Sequence, residues 1–182
     1  LVGVIYADIS LHIPDFRSAE RSFQLLTQVA GRAGRGKVPG LVIIQSLLPD
    51  HYVFDFAKEH DFRGFSEKEL ALREKLKYPP FTRMVSIEIE SEHEQAGEIF
   101  ANSIQKGLAR ILKGTNDIEV LGPARAAFYQ INNRFRRHLI LRSYNHRKLH
   151  SILRRLYETP EIKKTPRSKV KLILDVDPVN LM

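Results

Sequence analysis

Cysteine and tryptophan are both absent from the 182 residues, and methionine occurs twice. Without cysteine the chain can build neither a disulfide framework nor a thiolate metal site of its own, a usage that fits a reducing compartment. No apolar run approaches the roughly 18 residues needed to span a bilayer, and the opening LVGVIYADIS lacks the basic start and small-residue cleavage site of a signal peptide. Also missing are a GxxxxGK[ST] phosphate loop and a Walker B acidic pair, so alone the chain is expected neither to bind ATP tightly nor to hydrolyse it. No Ser/His/Asp or Cys/His constellation can be assembled. The chain starts without Met, directly on a strand-like VGVIYA, which leads us to expect a fragment of something longer.

What is present is a chain of 43% hydrophobic residues, ample for a packed core of one domain or two small ones. The formal charge of +8 is unevenly placed: residues 1–104 hold 12 Lys and Arg against 15 Asp and Glu, whereas residues 105–182 hold 17 against 6. Cations concentrated in one portion are the footprint expected of a nucleic-acid surface, although ribosomal or other anionic partners would leave the same mark.

The chain divides at Lys77-Tyr78-Pro79-Pro80-Phe81, where neither proline can extend a helix. Before it, Val2–Ala7 reads as a buried strand ending at Asp8, Ala19–Ala30 as a helix with Phe23, Leu26, Val29 and Ala30 inward, and Leu41–Gln45 as the next strand. Gly31 and Gly34 should loosen the helix end. Residues 49–80 predict a helical connector in two pieces, the second opened by the capping box Ser66-Glu67-Lys68-Glu69. Beyond the division come a strand over Met84–Glu90 and a helix from about Ser91 to Lys113 with Ala96, Ile99, Phe100, Ile104, Leu108 and Ile111 inward. Two strands follow, turning at Asn132-Asn133, then a helix over about 146–157 and a last strand, Val170–Val176. The order βαββαβ is that of an α+β ferredoxin-like sandwich.

One stretch joins residue type and spacing into a chemistry: Thr27-Gln28-Val29-Ala30-Gly31-Arg32-Ala33-Gly34-Arg35. Arg32 and Arg35 lie three apart near one face of a helical turn, each preceded by a glycine that lets another surface approach. Guanidinium groups stay charged and fork onto phosphate oxygens, so the pair could neutralise charge developing in phosphoryl transfer. The plainer alternative is a basic helix end with solvated arginines. Asp8, at a strand's carboxyl end, suits a position near a ligand or an ordinary turn.

In the basic portion, the hairpin Ala124–Arg142 interleaves Arg125, Phe128, Tyr129, Arg134, Phe135, Arg136, Arg137, His138 and Arg142. Cations beside rings can release counterions from phosphates and stack on unpaired bases; otherwise they form a solvated hairpin with Phe128 and Phe135 in the core. We expect DNA contact at Asn132–Arg137, joined by the basic run Lys163, Lys164, Arg167, Lys169 and Lys171. His146 and His150 have the i, i+4 spacing of metal ligands, but Arg147 stands where a zincin has Glu, and no metal site is expected. Glu88, Glu90, Glu92, Glu94 and Glu98 read as solvated surface rather than acid/base machinery.

Gln28-x-x-Gly31-Arg32-x-Gly34-Arg35, preceded by Ala7-Asp8 and Pro14-Asp15-Phe16-Arg17-Ser18-Ala19-Glu20-Arg21, resembles the last motifs of superfamily 2 helicases. PDFRSAER with QVAGRAGR, followed by Tyr78-Pro79-Pro80-Phe81, Leu121-Gly122-Pro123 and Asp175-Val176-Asp177-Pro178, is similar to the primosomal protein N′ (PriA) family of bacterial replication-restart helicases, from end to end of the chain. The resemblance implies that residues 1–48 are the α/β end of a RecA-like helicase lobe 2 carrying motifs V–VI, and that 81–182 are a C-terminal DNA- and partner-binding domain. It implies an ATP site with Mg, completed by an upstream lobe. Arg32 and Arg35 would reach the γ-phosphate, Gly31 and Gly34 would give close approach, and Gln28 would couple nucleotide state to lobe closure, with Asp8, Asp15 and Arg17 as further coupling candidates. Zinc would belong to a cysteine-rich region upstream. Expected partners are forked or single-stranded DNA, through Arg125, Arg134, Phe135, Arg136, Arg137 and Lys169, and other primosome proteins including the machinery that loads the replicative helicase. The acidic, aromatic-ended tail of single-stranded-DNA-binding protein (SSB) would dock near His146, Arg147 and His150, the family's arginine falling at His146 or Arg147. The setting would be the bacterial cytoplasm, near the nucleoid. Two rivals stand beside this reading: a non-enzymatic βαββαβ module for RNA or the ribosome, and a small phosphate-metabolite enzyme, which lacks a nucleophile and a base.

Overall fold

A computed structural model of the chain describes residues 1–33, 40–163 and 170–181. It contains two compact units, Leu1–Leu76 and Lys77–Met182. Among the described residues no helix is long and apolar enough to cross a membrane.

In the first unit, β1 (Val2–Val4) and β2 (Val42–Ile44) pair in parallel, with α1 (Ser18–Ala33) between them in sequence. Between β1 and α1, Ile9–His12 form a 3-10 turn. The buried stripe of α1 is Ala19, Ser22, Phe23 and Leu26, a helical period that closes on α2 (Tyr52–Lys58) and α3 (Phe62–Lys75). Phe23 stacks on Phe65 with ring centroids 4.2 Å apart, and Val53 and Ala57 fill in beside them. The two helices expected to be a connector over 49–80 are therefore part of this unit's core, and the division falls at Leu76/Lys77.

Three local expectations need correction. The helix does not loosen at Gly31 but continues to Ala33; a glycine in a helix costs only about 1 kcal/mol, which the packing of the preceding turns offsets. Val29 and Ala30, expected inward, are only half-buried. The capping box at Ser66 is not a helix start, because Asp61 caps α3 by accepting from the Gly64 N–H at 2.8 Å, and Ser66 lies inside the helix donating to the Phe62 carbonyl.

The second unit runs β3 (Arg83–Ser91), α4 (Glu94–Ile111), β4 (Ile118–Ile131), β5 (Arg134–Ser143), α5 (His146–Tyr157), the short α6 (Pro160–Lys163) and β6 (Val170–Val176). The strands form one antiparallel sheet in the order β4-β5-β3-β6. Alternation on β3 sends Val85, Ile87 and Ile89 into a core with Ile104 and Leu108 of α4 and Leu149, Ile152, Leu153 and Leu156 of α5, and turns Glu88 and Glu90 to the other face. Ile99, expected inward, is 64% exposed, and Gly97 and Gly107 take buried positions on α4 instead. Asn132 and Asn133 join β4 to β5 with φ of 50° and 59°, the left-handed pair that a tight hairpin turn requires. β4 shifts register between Leu121 and Ala124. There Gly122 has φ of +94°, and a side chain would meet the His138 carbonyl at 2.7 Å.

Candidate phosphate-contact and nucleic-acid surfaces

Gln28, Gly31 and Arg32 are exposed, and nothing lies within 4 Å of where a side chain on Gly31 would begin. Among the described residues Arg32 makes no ion pair, whereas Arg17, Arg21, Arg63 and Arg73, the other described arginines of this unit, each meet a carboxylate. Gly34 and Arg35 lie outside the described residues.

The neighbouring coupling candidates are engaged internally. Asp15 is buried, accepts from the Arg17 N–H at 2.8 Å and pairs with Arg21 at 3.3 Å. Arg17 grips Glu20 through two hydrogen bonds of 2.8 and 3.2 Å, Glu20 accepts from Arg73, and Arg73 continues to Glu69, which also receives the Tyr52 hydroxyl at 2.7 Å. The bond from Arg17 chiefly holds the Glu20 carboxyl below its ordinary range. Asp8 is fully buried past the end of β1. Burial pushes its carboxyl up, but the Leu47 N–H at 3.0 Å, the Ser46 hydroxyl and His12 outweigh that and hold it low. Its position ties the chain after β1 to the chain after β2.

In the basic hairpin, consecutive arginines go to opposite faces of the sheet. Arg136 lies opposite Glu90 in register and forks onto Glu88 at 2.6 and 2.7 Å, with Lys171 bridging to Glu90 from β6. On the helical side, Arg137 binds Glu98 of α4 at 2.9 Å, and its Nε meets no acceptor. Arg125 lies 4.5 Å over the Tyr129 ring and 3.4 Å from Glu94, which also receives the Tyr129 hydroxyl; that bond pushes the phenol up. Arg134 binds Glu92 at 2.9 Å and Arg142 binds Glu119 at 3.0 and 3.1 Å. The glutamates expected as solvated surface are thus the partners of these arginines. Phe135 is half-buried against Tyr129, and Phe128, a ring with alternative core and surface readings, is 53% exposed. Lys169, Lys164 and Arg167 fall outside the described residues.

At the start of α5, Asn145 caps the helix by accepting from the N–H groups of Arg147 and Lys148. His146 and His150 line a narrow crevice with Leu149, Leu153 and Val176, while the exposed Arg147, next to them on α5, is not among its walls. A cleft of about 400 Å³, with no signal in the sequence, opens between the start of β4, the end of β5 and α5. Its walls carry the Arg142–Glu119 and Lys148–Asp117 pairs together with Lys77 and the 70% exposed Tyr144. These residues come from four separate segments, which is why no spacing announced them. Among the described residues no three His, Asp or Glu gather as a metal site.

Comparison with known proteins gives a consistent result. Three proteins named replication restart protein PriA match the whole chain: that of Synechocystis sp. is 40% identical, that of Treponema pallidum 38% and that of Bacillus subtilis 36%. The chain covers 21%, 27% and 22% of them respectively, so it spans about a fifth to a quarter of the length of these curated relatives. The family model described as primosomal protein N C-terminal domain matches residues 74–179, and the chain belongs to that family.

Proposed function

We propose that the chain is the C-terminal part of an ATP-dependent 3′-to-5′ DNA helicase that recognises branched DNA and restarts stalled replication by primosome assembly. The match of all its residues to proteins named for replication restart carries this reading. The parallel β1-α1-β2 unit supports the end of a RecA-like lobe, and the strand order β4-β5-β3-β6 beneath α4 and α5 supports a ferredoxin-like sandwich. In this reading ATP with Mg drives strand separation when bound by the upstream lobe, and this chain supplies cationic groups to it. Arg32 fits that part: it is exposed, free of a carboxylate partner and beside a glycine with open space above it. Arg35 joins it on the evidence of spacing alone, and Gln28, exposed one turn before, couples the site to lobe closure. The second unit contacts forked or single-stranded DNA, the acidic SSB tail and other primosome proteins.

In the full-length protein, Arg32→Ala and Arg35→Ala should each lower DNA-stimulated ATP turnover on the order of 10³-fold or more, with forked-DNA binding nearly intact. A steady-state ATPase assay beside a DNA titration checks this. Unchanged turnover in both variants would remove the phosphate role.

A further inference from the structure

Outside α5, every described arginine of the second unit meets a carboxylate, including all those of the hairpin. On α5 the exposed Arg147, Arg154 and Arg155 meet none, and His146–Tyr157 contains no Asp or Glu. Glu158, at the C-cap, is engaged by Lys163. Arg147 and Arg154 are seven residues apart, two turns along one line of the helix, opposite the buried Leu149, Ile152, Leu153 and Leu156. Arg147 also sits in a first turn that has no acidic residue, at the end of the helix where the dipole disfavours a cation. Among the described residues no carboxylate offsets this row of like charges.

We propose that the outer face of α5, through Arg147, Arg154 and Arg155, is where the second unit grips the sugar-phosphate backbone of DNA. This rests on the nucleic-acid reading above and moves the contact from the hairpin to the helix. A guanidinium of the hairpin would have to leave its glutamate to reach a phosphate, exposing a carboxylate that repels the strand. An α5 arginine gives up no protein partner. From Arg147 to Arg154 the stripe extends about 10 Å, about three phosphates at roughly 3.4 Å of axial spacing. That length suits a polyanion, whereas a single terminal carboxylate is gripped by one guanidinium.

The test titrates the full 182-residue chain with a fluorescein-labelled forked DNA across a sodium chloride series. Arg154→Gln/Arg155→Gln should weaken binding on the order of tenfold near physiological salt. It should also make the slope of log K against log salt shallower by about 0.7 to 0.9 per arginine removed. Arg154→Lys/Arg155→Lys should restore the slope, and Arg125→Gln/Arg137→Gln should leave it near the parent value. An unchanged slope in the α5 glutamine variant, or a larger loss in the hairpin variant, overturns the proposal. So does loss of binding to a labelled Asp-rich peptide with DNA binding kept, which would make α5 a protein contact. If the parent chain binds no DNA at any salt, the broader nucleic-acid reading fails along with it.

Discussion

Arg136 holds Glu88 through two short, nearly buried hydrogen bonds, and truncating it strands a carboxylate on the sheet. Arg136→Ala should therefore destabilise the chain by about 2 kcal/mol, read from urea unfolding, and Arg136→Lys should recover only part of that because an ammonium cannot fork. Acid should act through other groups. Asp8, Glu20 and Glu119 all titrate below their ordinary values in the fold, so the unfolded chain takes up protons first as pH falls. Their contribution is complete above the unfolded values and disappears as pH drops through the folded ones; burial lowers His51 and His138 in the same sense, so the urea midpoint should begin to fall below about pH 6.5 and fall further below about pH 4. Glu20→Gln should differ from the parent at pH 7 and converge with it in acid. The pairing of the hairpin arginines was not legible in sequence. The glutamates that neutralise the hairpin tip lie 39 to 48 residues before their arginines, and no spacing links them. The basic excess of residues 105–182 was real in number but overstated the free charge of the hairpin.

Elements were read best where one face is strongly apolar and both ends are marked. For α5 the expected range of about 146–157 coincides with the helix, because Leu149, Ile152, Leu153 and Leu156 leave no other period and Asn145 closes its start. The hairpin turn was equally legible, since consecutive asparagines are among the few residues at ease with left-handed backbone. Where the signal is a short polar pattern, tertiary packing overrode it. Asp61, rather than Ser66, begins α3, so Asp61→Ala should cost about 1 kcal/mol while Ser66→Ala should change stability by only a few tenths. Thermal melts of the two variants distinguish these positions.

At the scale of the molecule, the two units have separate cores, one built around stacked Phe23 and Phe65, the other around the helix-covered face of the four-stranded sheet. Leu156→Ala, which empties a fully buried position, should cost about 2–5 kcal/mol and raise amide exchange across 77–163 while leaving 1–33 near the parent. The order of strands and helices was legible because each carries its own period; residues 49–80 were read as a separate connector because the two short helices show their apolar sides only once packed on α1. At the candidate site Arg32 is exposed, which suits a phosphate contact and a solvated helix end alike, while Arg154 and Arg155 of α5 went unread, since an arginine without a partner looks in sequence like one that has found it. Arg136 and Arg137 carry one more consequence. Sliding β5 by a single residue would drive a guanidinium into the space of Leu139 or its neighbours and strip both glutamate clusters at once. Adjacent charges facing opposite ways thus proofread the threading of this hairpin, and a one-residue deletion near its tip should be far more damaging than any single substitution there.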